Sequence, residues 1–300
     1  MSVINEIQSE IAELAGKHGA AAVGIGRGWR FGSGTVIARD RVLTAAHHVR
    51  SEGVTVRFAE ERSATAELVG VDRDLGLALL EVDTGEIEPL AWAPADAEVG
   101  IGSAVVALAN PGGRGLRASL GFVAAADRGF RGPRGRRVSG AVEHTATLPR
   151  GSAGGPLLDT DGRLLGVNAL RLEGGLIVAL GPASGLREAV ERLARGEEPA
   201  RPFLGVAVAP AHVSRRMRRA VGLPERDGLL VRGVEDESPA AHAGIARGDL
   251  IVAAGGEQVD GIDALHRALD AATPNGRVTL TVVRVTEERQ LEVELAGATA

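Results

Sequence analysis

A mainly β protein built as two globular units is what this sequence predicts. Between residues 20 and 180, short β-prone runs alternate with Gly-containing turns, and strands at that density indicate a sandwich or barrel. Forty-two glycines in a chain with 2% aromatic residues and no Tyr fit a turn-rich β architecture better than a helix bundle. Length sets the number of units: 300 residues, 44% of them hydrophobic, are enough for about two domains of roughly 150 residues each. A charged fraction of 24% excludes a wholly disordered chain.

The elements follow in order. Ile4, Ile7, Ile11 and Leu14 recur at helical spacing, so residues 2–17 read as an amphipathic helix. Strands are expected at Gly34–Ala38, Val54–Phe58, Leu77–Val82, Ser103–Leu108, Leu164–Asn168 and Leu176–Leu180. Leu186, Val190 and Leu193 mark a short helix, which runs into a charged, Pro-containing stretch from Arg195 to Pro202 that reads as a linker. Beyond it, strands are expected near 203–208, 228–234, 249–254, 278–285 and 290–295, with a helix at about 261–272. No internal repeat is present. The expected division is a helix over 1–18, a first domain over 19–195, a linker over 196–202 and a second domain over 203–296.

Composition narrows the function. A net charge of −5 gives no general reason to expect nucleic acid or an acidic membrane as partner. Without Cys there is no disulfide framework, thiol nucleophile or thiolate metal site. His18, His144, His212, His242 and His266 are scattered without metal spacing, so no metal is expected. The early apolar stretch Ala20–Ile25 is far shorter than the ~20 residues of a spanning helix. Glu6, Glu10 and Glu13 occupy the place of a basic export region, so the chain reads as cytoplasmic. The alternative is an extracytoplasmic protein trimmed of its export segment.

Two segments carry chemistry. In Leu43-Thr-Ala-Ala-His47-His48-Val49, an apolar strand delivers a His at a sharp boundary. In Gly151-Ser152-Ala153-Gly154-Gly155-Pro156-Leu157, a Gly-rich turn can point backbone N–H groups inward as an oxyanion hole. Between them lies Asp72-Arg-Asp74-Leu-Gly76-Leu77-Ala78-Leu79-Leu80. Together with Gly32-Ser33-Gly34, Ala107–Gly112, Gly121-Phe122-Val123 and Gly154–Asp159, these segments resemble the HtrA (DegP-type) branch of the trypsin-fold serine proteases. The resemblance implies a double β-barrel in which Ser attacks a carbonyl, His takes its proton and Asp holds the His tautomer.

Only His47 of that triad is present. The position before Gly-Gly-Pro is Ala153, which has no hydroxyl, and the position that opens the Asp-(Ile/Leu)-Ala-Leu-Leu strand is Gly76. Ser152 stands one place early, where a tight turn aims its side chain away from the His. Asp74 is a poorly placed substitute, on the same strand face if the strand reaches that far. Loss of the nucleophile removes roughly 10⁶ in turnover and loss of the Asp roughly 10⁴, non-additively. The chain as written is therefore expected to be inactive. Two origins stay open, an engineered Ala153 or a natural pseudoprotease. Gly76 favours the second, because an experimenter needs only one change. The intact turn and His47 favour the first, because drift would erode them. His48 reads as a structural residue facing away from the cleft. The resemblance puts Gly151, Ser152 and Ala153 in the oxyanion hole. It puts Thr147, six residues before the nucleophile, on the floor of the specificity pocket. An uncharged floor suits small or medium apolar side chains and leaves a cation without a partner.

Residues 203–296 resemble a PDZ domain of the HtrA kind, on Phe203-Leu204-Gly205-Val206, Gly228–Val231, Glu237–Ile245 and Arg247-Gly248-Asp249-Leu250-Ile251. The resemblance implies that a peptide C-terminus adds as a strand beside 205–208 while loop N–H groups hold its carboxylate. Ile262, Leu265 and Leu269 would face its last side chain, although at least one of them is expected to be core. Arginines 128, 131, 134, 136 and 137 form one basic stretch, and 215, 216, 218 and 219 another. Both read mainly as solvated surface. Nucleic-acid binding lacks aromatic stacking partners, and the family suggests that loop 128–137 senses the PDZ domain or its peptide. The family also implies no cofactor, unfolded polypeptides or C-termini as partners, and a homotrimer. Trimers of this kind often use N-terminal aromatic residues, and here only Trp29 is available in the first 30 residues.

Overall fold

The computed structural model describes residues 2–27, 30–49, 53–59, 62–94, 97–133, 137–197, 202–272 and 276–295. Trp29, Arg134, Arg136 and the linker residues 198–201 lie outside the described residues. The chain divides into two units, residues 1–198 and 199–300.

The first unit opens with helix α1 (Val3–His18), in which no residue is buried. Six strands then close into a barrel: β1 (Ala22–Arg27), β2 (Arg30–Ala38), β3 (Arg41–Ala45), β4 (Val54–Arg57), β5 (Ser63–Asp72) and β6 (Leu77–Glu81). Around the barrel the order is β1-β2-β3-β6-β5-β4. A second barrel follows, from β7 (Ala104–Ala109), β8 (Arg117–Arg131), β9 (Arg137–His144), β10 (Pro156–Leu158), β11 (Leu164–Arg171) and β12 (Ile177–Leu180), in the order β10-β11-β12-β9-β8-β7. Closure removes free strand edges and leaves the inward residues to fill the interior. Leu43, Leu79, Leu80, Leu108, Leu157 and Leu180 are fully buried there. Helix α2 (Leu186–Ala194) buries Leu186, Ala189, Val190 and Leu193, and Leu193 lies against Gly70 of β5.

In the second unit a sheet runs β13-β14-β15-β17-β18, with β16 paired to β15. Its strands are β13 (Val206–Ala209), β14 (Leu229–Val234), β15 (Leu250–Ala254), β16 (Glu257–Gln258), β17 (Arg277–Arg284) and β18 (Glu287–Glu294). Helices α3 (Ala211–Ala220), α4 (Pro239–His242) and α5 (Ile262–Ala272) accompany it. Helix α3 is the second basic stretch; Arg215, Arg216 and Arg219 are exposed, as expected of a solvated surface, and Arg218 is buried. Arg215 pairs with Asp227 at 2.5 Å and Arg219 with Glu225. Arg218, 4% exposed, donates to the carbonyls of Pro224 (3.0 Å) and Val285 (3.1 Å). In the first stretch, Arg128 pairs with the largely buried Glu143 at 3.2 Å.

Candidate functional site

Strand β3 delivers Thr44 and Ala45 buried, and the chain then makes a single 3₁₀ turn, Ala46–His48. The Ala46 N–H donates to the Gly76 carbonyl (2.7 Å), which ties this turn to the start of β6. The His47 and His48 rings meet edge-on with centroids 4.1 Å apart. His48 sits over Gly32: a Cβ at position 32 would lie 2.1 Å from its ring. That contact explains the first glycine of Gly32-Ser33-Gly34. Thr44 Oγ1 donates to the Ser33 carbonyl at 2.7 Å and lies 3.3 Å from His48 Nδ1. With its proton committed, Thr44 is the acceptor for an Nδ1–H tautomer of His48. Burial, reinforced by the charge of His47, pushes the His48 pKa down to about 4. His47 is the more exposed ring. Desolvation lowers its pKa, and no carboxylate acts to raise it, unlike the arrangement in a complete triad.

The Gly-rich turn is locked by its packing. Gly151 and Gly154 both have φ +85°, a left-handed conformation. A Cβ on Gly154 would stand 2.3 Å from the Ser33 carbonyl oxygen. The Gly154 N–H donates to the Asn168 carbonyl (2.7 Å), and Ser33 donates through its N–H to Ala153 O (3.2 Å) and through Oγ to Gly151 O (2.9 Å). Among the described hydrogen bonds, none uses the N–H of Gly151, Ser152 or Ala153. Ser152 is 5% exposed and its hydroxyl donates to Pro149 O at 2.8 Å, turned into the loop. Ala153 presents only a methyl group. Behind the turn, Asn168 Nδ2 donates to Gly155 O (3.0 Å) and Asn168 Oδ1 lies 3.0 Å from Nε2 of the fully buried His144.

At position 76, where the sequence resemblance expects the third triad member, the backbone is built for glycine. Gly76 has φ +70°, and a Cβ there would lie 2.9 Å from Cγ of Pro133. A Cβ on the neighbouring Gly132 would lie 2.0 Å from the Asp74 carbonyl oxygen, so Gly132-Pro133 closes over the 74–76 turn. The strand does not extend to Asp74, so Asp74 and Gly76 share no strand face: β6 begins at Leu77 and Asp74 lies buried in a turn. That turn is made by Asp72, whose Oδ1 accepts the N–H groups of Asp74 (3.0 Å) and Leu75 (2.9 Å). Asp72 Oδ2 reaches Arg192 of α2 at 3.5 Å. The sequence reading missed this role, although Asp followed two and three residues later by turn N–H groups is a recognisable Asx-turn signal.

Beside the Gly-rich turn lies a cavity of about 190 Å³. Leu148, Ala169, Leu170 and Ile177 supply its apolar wall, and Arg150 and Arg171, both exposed, also line it. Thr147 does not. Along 145–148 exposed and buried residues alternate, so Thr147 faces solvent and Leu148 faces inward. The apolar wall expected of the pocket therefore rests on Leu148 and Ile177, and the expectation of an uncharged lining is corrected by Arg150 and Arg171.

In the second unit, Gly205 has φ +82° and a Cβ there would lie 2.2 Å from Ser238 Cβ. The Leu204 and Gly205 carbonyls accept from Ala240 and Glu235, each at 2.9 Å. This pins the Phe203–Val206 segment that leads into β13, the terminal strand of the sheet. Leu265 (2% exposed) and Leu269 (3%) belong to the core with Leu204, while Ile262 is half-buried.

No helix among the described residues is long and apolar enough to cross a membrane. No group of three or more His, Asp or Glu among them is arranged to hold a metal ion.

Comparison with known proteins agrees with this architecture. The trypsin-like peptidase domain family matches residues 32–167, and the PDZ domain family matches residues 230–284. A probable periplasmic serine endoprotease, DegP-like, of Brucella suis biovar 1 is 30% identical over 278 residues, 89% of this chain and 52% of the relative. A similarly named protein of Halomonas elongata is 30% identical over 269 residues, 87% of this chain and 55% of the relative. The chain thus spans about half the length of the curated relatives it matches. Among solved structures, an HtrA-type protease AlgW with decapeptide has TM-score 0.66 at 20% identity, covering 95% of this chain and 98% of that one. The serine endoprotease of Yersinia pestis has TM-score 0.64 at 22% identity, covering 95% and 97%.

Proposed function

Because the chain belongs to the HtrA type, a trypsin-like peptidase domain with a C-terminal PDZ domain, we propose that it binds polypeptide without hydrolysing it. The observation that carries this is the methyl group of Ala153 at the nucleophile position, while the nearby hydroxyls among the described residues are engaged elsewhere, Ser152 with Pro149 O, Ser33 with Gly151 O and Thr44 with Ser33 O. Acyl transfer needs a nucleophile within reach of a base, and among the described hydrogen bonds none joins a hydroxyl to His47. The proposed binding elements are the Gly151–Ala153 turn with its cavity and the edge strand β13 with its Phe203–Val206 loop, the latter for C-termini. Partners of this kind, unfolded polypeptides and protein C-termini, are what protein quality control handles, and a homotrimer is part of the proposal.

One observation favours natural loss over an engineered change. Gly76 is held left-handed under Pro133, so its surroundings suit glycine. An inactivating change at 153 alone would have left the usual Asp at 76. The DegP-like relatives are named as periplasmic, whereas the N-terminal acidic residues read as cytoplasmic; fractionation of the source cells decides between the two.

The direct test is casein incubated with the chain as written and with Ala153→Ser. The expected result is no cleavage by the first. Turnover by the chain as written overturns the proposal. For the Ala153→Ser variant the expectation is trace activity, since the Asp is still missing.

A further inference from the structure

We propose that the vacated centre of the first unit is a receptor for a free carboxylate carried on an aliphatic residue, that is, a peptide C-terminus ending in a Leu-sized side chain. This rests on the reading of an inactive, peptide-binding cleft and specifies what the cleft takes.

Three features of the site converge on that chemistry. The first is a run of backbone donors: the N–H groups of Gly151, Ser152 and Ala153 are absent from the described hydrogen bonds, and the left-handed Gly151 begins the run. Successive N–H groups around a left-handed residue form a concavity that suits an anion. The second is charge. Arg150 and Arg171 line the cavity, neither takes part in an ion pair among the described residues, and no Asp or Glu lines it. A neutral peptide bond passing through gains little from two guanidinium groups, whereas a carboxylate gains charge-assisted hydrogen bonds. The third is space. A working nucleophile places a hydroxyl oxygen beside the carbonyl that the donors hold. Ala153 has no such oxygen, and the second oxygen of a carboxylate fits where it is missing. The apolar wall of Leu148, Leu170 and Ile177 then takes the last side chain in the cavity of about 190 Å³.

The PDZ unit is expected to bind C-termini as well, so the probe must be too short to add as a strand. N-acetyl-leucine and its neutral counterpart N-acetyl-leucinamide meet that need. Each is titrated into the isotopically labelled full chain and followed by amide NMR shifts. The expected result is that N-acetyl-leucine moves the amides of residues 151–153 and binds at least about tenfold more tightly than the amide. The double variant Arg150→Gln, Arg171→Gln should weaken the acid about tenfold and leave the amide unchanged. Both arginines are exposed, so this variant is expected to fold, and an unaltered melting transition verifies it. Equal binding of acid and amide overturns the proposal. So do shifts confined to residues 203–209, or acid binding untouched by the double variant. Equal binding at 151–153 still leaves a peptide-binding cleft, whereas casein cleavage by the chain as written is what removes the underlying reading.

Discussion

Placing an Asp at position 76 is the change a triad would require, and the structure predicts that it harms the fold without helping chemistry. Gly76 sits at φ +70°, where an L residue costs about 1–2 kcal/mol, with Asp at the lower end of that range. Its new Cβ would stand 2.9 Å from Pro133 Cγ, so the Gly132-Pro133 segment must also shift. Together these give a cost of about 2 kcal/mol. For a unit of 198 residues that lowers the melting transition by about 6 °C. Differential scanning calorimetry of the full chain reads this, because two units can melt separately. Gly76→Ala isolates the backbone and contact terms from the carboxylate. Pro133→Ala in the Gly76→Asp background should recover only the contact part. In the Ala153→Ser background, adding Gly76→Asp should not raise casein cleavage. A transition at or above the parent's, or a gain approaching 10⁴ in cleavage, would refute the reasoning, since either means that the carboxylate reaches His47 without strain.

Other outcomes follow from the same contacts. The His48 pKa is about 4 when folded against 6.5 when unfolded, so its contribution is full above pH 6.5 and is lost as pH falls toward 4. The loss is at most about 3 kcal/mol; His48→Val should flatten this part of a urea-unfolding pH series. Gly154→Ala, with its Cβ 2.3 Å from Ser33 O and φ +85°, should cost about 3 kcal/mol or more in denaturant titration. Asn168→Ala removes the partner of the fully buried His144 and should cost about 1–3 kcal/mol by the same titration. In the second unit, desolvation pushes the Asp249 pKa up, but the Arg284 guanidinium and the Ala246 N–H outweigh it and leave it below 3.8. Its stabilisation is therefore present above about pH 4 and lost on further acidification. Arg284→Gln should lower the melting point of this unit at pH 7 and weaken that acid dependence.

The fold was legible because the motifs are tied to backbone requirements. Gly32, Gly151 and Gly154 each stand where a Cβ would collide, so the sequence cannot hide them. The positions of His47 and Gly76 follow from the same register, since Ala45 pairs with Leu77 across β3 and β6. What was not legible depends on direction rather than presence. Counting back six residues puts Thr147 in the pocket, but period-two alternation through 145–148 turns it to solvent and turns Leu148 inward. Period two allows the strand to extend to Asp74, yet Asp72 captures two backbone N–H groups and bends the chain before Leu77. In helix α3 the solvated-surface reading holds for the exposed Arg215, Arg216 and Arg219 and misses Arg218, which is buried and reaches the Val285 carbonyl only because the fold brings 285 to the helix.

From sequence, an intact Gly-rich turn beside Ala153 favours an engineered change. The packing removes that inference. Gly154 is held against Ser33 O, Gly155 against Leu108 O, and Asn168 bonds across the turn to both Gly155 and His144. Losing any of them damages the second barrel whether or not the site performs chemistry. Retention of the turn is thus accounted for by folding alone and carries no weight for either origin. Gly76 is different, because its left-handed backbone lies under Pro133, in surroundings that suit a residue without a side chain. Of the two positions that depart from the family pattern, Gly76 is therefore the one whose backbone is fitted to the residue present, and replacing it is the sharper test of the proposed loss of hydrolysis.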